Sequence, residues 1–176
     1  MATQTRIKFN AKAFGDAILK NVVAEQTRRL VVYAAEELNR MVESKELGNA
    51  TYNVQDSFVW GVYYNGKRVP HGFGFYGNKT ASKNSYLHEY SRNPIPVNGR
   101  ALARTFIKNY VPTSNKGWEI VWAVCAPYAA YWEDGHVNPP HSGRVVYAHV
   151  IFQRYDHIKS ALGNKCRLIM ELNRPS

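Results

Sequence analysis

The spacing of hydrophobic positions changes several times along this chain, and each change marks an element. Over residues 16–43 apolar side chains recur at helical intervals. Ile18, Val22, Leu30, Tyr33, Leu38 and Met41 read as one face, with Glu, Arg and Lys between them. Asp16 is the expected N-cap, and Gly48 the expected stop after Lys45. Such a helix is about 42 Å long, enough to cross a sheet or to reach a neighbouring subunit.

The period then shortens to two. Val54, Phe58, Trp60, Val62 and Tyr64 share one parity and predict a strand over 53–64, interrupted by Gln55-Asp56-Ser57. Asn65-Gly66 supplies the two positive-φ positions of a type I′ hairpin turn. Lys67 to Val69 begins the return strand, which Pro70 weakens. Residues 70–98 are rich in Gly, Asn, Ser, Tyr and Pro and predict an extended loop.

Asn98 is the expected cap of a second helix over 99–110, with Leu102, Phe106, Ile107 and Tyr110 inward and Pro112 closing it. A strand over 119–126 leads into an aromatic turn at 127–135. A loop over 136–143 with Pro139-Pro140 follows, then a strand over 144–150. Tyr155, Ile158, Leu162, Ile169 and Leu172 predict a last helix over about 153–172. The expected fold is α+β: an antiparallel sheet packed by a long N-terminal helix, a middle helix and a C-terminal helix, with long loops. It forms one domain over 1–176, preceded by a polar arm at 1–10.

Composition supports a folded core. The chain has 176 residues, 45% hydrophobic and 13% aromatic, with 12 tyrosines. The net charge is +10, from 23 Lys and Arg against 13 Asp and Glu, a balance that favours DNA, RNA or an acidic protein face. The charge is dispersed; its densest spots are Arg28-Arg29, Lys67-Arg68 and the series Arg100, Arg104, Lys108. Cys125 and Cys166 read as free thiols of a reducing compartment. No apolar run approaches the length of a membrane span, so the expectation is a protein made in the cytoplasm with no membrane partner.

The candidate chemistry is thin. Gly72-Phe-Gly74-Phe-Tyr-Gly77 has the letters of a dinucleotide fingerprint, but a poor helix former follows it and no acidic residue stands at the required distance. The better account is a glycine–aromatic loop that lays Phe73, Phe75 and Tyr76 on a partner. His136 and His141, near Glu133 and Asp134, are a candidate zinc set with His71 or His88, yet their spacing matches no known ligand pair. Ser57, Ser85 and Ser91 sit in no nucleophile elbow. Glu133, Asp134 and Glu119 are the carboxylates a metal nuclease would draw on. Arg100, Arg104 and Lys108, four residues apart on the second helix, form a cationic stripe facing DNA or a ring lumen, or else a solvated helix face. No catalytic residue, cofactor or metal is expected.

Tyr128-Ala-Ala-Tyr131-Trp132-Glu133-Asp-Gly135, delivered by the strand that ends Val124-Cys-Ala-Pro127, is the most distinctive stretch. With the long first helix, Gln55-Asp56-Ser57-Phe58 and the helix after Phe152, it resembles the tail-completion (head-to-tail joining) proteins of tailed bacteriophages. The resemblance covers about two thirds of the chain. It departs from the family at Ile151-Phe152-Gln153-Arg154, where an Arg-Pro-Phe-like segment is usual, and in the long insertion over 65–115. It implies a non-enzymatic virion protein in the neck or tail-joining ring, six-fold or twelve-fold, through whose lumen double-stranded DNA passes. Its neighbours would be portal-side head-completion proteins and tail proteins. Tyr128, Tyr131, Trp132 and Glu133, with Phe73, Phe75 and Tyr76, are the expected subunit contacts. A basic nucleic-acid-binding module and a metal-dependent nuclease are the alternatives.

Overall fold

The computed structural model describes residues 10–43, 53–76, 98–126 and 154–163. Its fold is α+β. Helix α1 spans Ala11–Glu43 and a single helical turn, α2, spans Asn53–Asp56. Strands β1 (Phe58–Tyr64) and β2 (Lys67–Phe75) form a hairpin, followed by helix α3 (Gly99–Asn109), strand β3 (Trp118–Val124) and helix α4 (Tyr155–Leu162). The described strands make an antiparallel sheet in the order β2-β1-β3.

β1 is central and is buried along nearly its whole length. Its alternation sorts the core into two layers. Phe58, Trp60 and Val62 point to α1 and meet Ala34, Leu38, Met41 and Val42, with Ile158 of α4 joining them. Val59, on the other parity, faces Ala103 and Ile107 of α3. β3 divides likewise: Ile120, Trp122 and Val124 pack with the first cluster, Val121, Ala123 and Cys125 with the second. Helices therefore cover both faces of the sheet. The Trp122 indole N–H donates to the Ala34 carbonyl at 3.0 Å, and that of Trp118 to Thr27 Oγ1 at 3.3 Å. These two bonds show that α1 and β3 run the same way.

Several expected boundaries move. α1 begins before Asp16: the Asn10 side chain accepts the Ala13 amide at 3.0 Å and so caps the helix. The polar break at Gln55-Asp56-Ser57 is α2 and a turn, because Ser57 turns its amide (3.0 Å) and hydroxyl (2.7 Å) back onto the Val54 carbonyl. β2 passes Pro70 and continues to Phe75. It is an edge strand among the described residues, where a missing N–H is tolerated. The pairing jumps from Gly61↔Phe73 to Tyr63↔Arg68, so Val62 alone stands opposite residues 69–72, with His71 at φ 55 inside this wide bulge. Asn65 (φ 49) and Gly66 (φ 74) make the expected turn.

The Asn98 side chain caps α3 through the Ala101 amide at 2.9 Å, as its sequence predicts. The last helix is shorter than its periodicity suggests. α4 closes at Gly163, whose φ is 81 and whose N–H donates to the Lys159 carbonyl at 3.0 Å. The strand expected at 144–150 and the loop at 136–143 lie outside the described residues.

Candidate assembly surface

One end of the sheet gathers most of the segments that the sequence singles out. Phe58 pairs with Val124, and the Cys125 amide donates to the Ser57 carbonyl at 3.1 Å. The Tyr76 amide donates to the Phe58 carbonyl at 3.3 Å, which brings the end of β2 to the same place. The Asp-Ser-Phe segment and the strand leading to the aromatic turn are thus hydrogen-bonded neighbours. Tyr128, Tyr131, Trp132 and Glu133 themselves lie outside the described residues, as do His88, Asp134, His136 and His141.

Arg100 ties this end together. It is only 8% exposed. One guanidinium nitrogen donates to the Tyr76 carbonyl at 2.6 Å and stands 3.6 Å from Asp56 Oδ1, and the group lies 4.9 Å over the Phe75 ring. Arg100 therefore does not face solvent with Arg104 and Lys108, which are exposed. The reason is geometric. Each four-residue step on an α-helix turns the side chain by about 40°, so a stripe at that spacing drifts off any fixed direction. Its first member falls on the buried face with Ala103 and Ile107, and its last reaches water. Leu102 and Phe106, expected inward, are half-buried flanks.

The glycine–aromatic stretch is also reassigned. Residues through Phe75 are strand, not loop. A Cβ on Gly72 would sit 2.8 Å from the Val69 carbonyl oxygen and 2.9 Å from that of Val62, and one on Gly74 2.7 Å from the Trp60 indole nitrogen. Both glycines are required by close packing, with no helix N-terminus beside them. Phe73 is 42% exposed under the Arg68 guanidinium, 4.7 Å from its centroid. Phe75 and Tyr76 are half-buried against the second and first core clusters respectively. Of these three aromatics, Phe73 is the one exposed enough to meet a partner.

The described carboxylates are occupied by the fold. Glu119 accepts from Tyr110 Oη (2.6 Å), from the Thr113 amide (2.9 Å) and hydroxyl (2.8 Å), and from the Ser114 amide (3.1 Å). Glu37 is fully buried and accepts from Arg154 Nε at 2.6 Å and Nη2 at 3.2 Å, joining α1 to α4. The Glu37 hydrogen bond raises the Arg154 pKa above its ordinary value. Arg29 and Arg28 hold the Glu25 carboxyl below the usual carboxylate value on the outside of α1. Among the described residues no group of three His, Cys, Asp or Glu is placed to hold a metal ion. Nor is any described helix long and apolar enough to cross a membrane.

A second surface is not apparent from the hydrophobic pattern. Residues 12–22 of α1 are exposed throughout, and Phe14 (55%), Ile18 (48%), Leu19 (63%) and Val22 (49%) leave large apolar area in water. Ile18 and Val22 are expected on the core face. On a regular helix, however, their mean direction is turned about 150° from that of Leu38 and Met41. A drift count along the helix, in place of a single-face assignment, reveals this. Comparisons with protein-family models, with curated proteins and with solved structures find no match to this chain.

Proposed function

We propose that this protein is a structural subunit of the neck of a tailed bacteriophage, part of the ring that joins head to tail and through which DNA passes. The observation that supports this reading most is the pairing of Ser57 and Phe58 with Cys125 and Val124. Two separate segments that carry the family resemblance form one structural unit, with the stem of the aromatic turn at its edge. Arg100 fastens that unit to α3 and β2 from inside. The dispersed charge of +10 suits a surface that tolerates passing DNA without reading its sequence. The partners are other copies of the chain, a portal-side protein and a tail protein, and the protein acts in the virion by contact, not by turnover.

The test is assembly. Purified protein is mixed with portal-side and tail proteins of the same phage and examined by light scattering and negative-stain microscopy. Rings, or decoration of a ring template, are the expected outcome. A chain that stays monomeric and unbound in every mixture refutes the reading.

A further inference from the structure

The first turns of α1 carry two unlike faces, and the two are complementary. Phe14, Ile18, Leu19 and Val22 occupy one sector of about 140°. Ala13, Ala17 and Ala24 occupy a sector of about 40° whose centre is turned about 150° from the first. All seven side chains are exposed. The core-facing direction of the later turns, set by Leu30, Ala34, Leu38 and Met41, lies between the two on the third side. We infer that this segment packs against the same segment of a second copy of the chain, side by side and parallel, with the bulky face of one helix seated on the alanine face of the next.

Three observations carry this. The faces match in size: alanines let a neighbouring helix approach closely and leave room for Phe and Ile side chains. The flanking charges match too. Lys12 borders the bulky face and Asp16 the alanine face, both on the side toward the body, so a parallel neighbour in register sets Lys12 of one copy near Asp16 of the next. Finally, an exposed stretch of about 11 residues, with Gly15 inside it, is a marginal helix by itself. Because the two faces differ, the contact is heterologous: each copy offers one face and receives on the other, which propagates around a ring. The inference rests on the ring reading above and adds the surface that would close it.

Cysteine pairing tests it without partner proteins. Ile18→Cys and Ala17→Cys are placed together in the full chain and oxidised at high concentration. A ladder beyond the dimer on non-reducing gels is expected, absent from each single variant and from the wild type with Cys125 and Cys166 alone. Dimers from Ile18→Cys alone would show like faces meeting and overturn the inference, as would a wild type that is monomeric at several hundred micromolar. In a second arm, Ile18→Asp with Val22→Asp should shift the particle mass from multimer to the single 20.1 kDa chain, with an unchanged circular dichroism melt because both residues are exposed. Multimers that survive this change overturn the contact but leave the ring reading intact; that reading is decided separately by assembly with neck partners.

Discussion

Individual side chains carry the sharpest expectations. Arg154→Ala would strand the fully buried Glu37 carboxylate, and removal of one partner of a buried pair costs about 3 kcal/mol or more. Replacing both, as Glu37→Leu with Arg154→Met, should recover most of that loss; urea denaturation measures the two variants side by side. Gly72→Ala must push a methyl between the Val69 and Val62 carbonyls and is expected to cost about 2 kcal/mol in the same assay. Cys125 gives a pH signature. Burial pushes its thiol from 9.0 up to about 12, because the thiolate is poorly solvated there. A raised folded-state value means that this contribution to stability is complete below pH 9 and fades as pH rises toward 12. At pH 8 the native thiol should react with iodoacetamide about a hundredfold more slowly than the unfolded one, as read from the Cys125 peptide by mass spectrometry.

Elements show where local pattern is sufficient and where it fails. The parity of Phe58, Trp60 and Val62 is readable because one row of side chains must face α1 in a half-covered strand. The Asn65-Gly66 turn and the Asn98 cap are readable because few residues fit those backbone positions. The wide bulge at 69–72 is not, since it depends on Val62 opposing four residues across the hairpin, a tertiary fact. Burial of Arg100 is equally hidden: its partners, Asp56, Phe75 and the Tyr76 carbonyl, come from other elements. α1 misleads by its length, because small angular errors accumulate over 33 residues until one face has become two. Its exposed turns offer a direct check. No atom lies within 4 Å of the place a methyl on Gly15 would take, so Gly15→Ala should raise the helical signal at 222 nm and favour the helix by up to about 1 kcal/mol.

At the scale of the whole molecule, two surfaces sit at opposite ends of one body. β3 runs beside α1 from Trp118 near Thr27 toward the turns that hold Leu38 and Met41. The stem of the aromatic turn therefore leaves one end of the sheet, while the first turns of α1 extend about 24 Å beyond Thr27 at the other. Trypsin should cut the dilute chain first after Lys12 and Lys20, well before Arg40 in the packed part of the helix, and assembly should suppress those early cuts. Trp118 stands where the helix leaves the body, its ring 4.7 Å from that of Tyr64 and its indole N–H on Thr27. That position makes it a natural optical gauge. Any bending or docking of the emerging helix alters the wetness of one indole, so the emission difference between wild type and Trp118→Phe gives a label-free clock for the moment the subunits join.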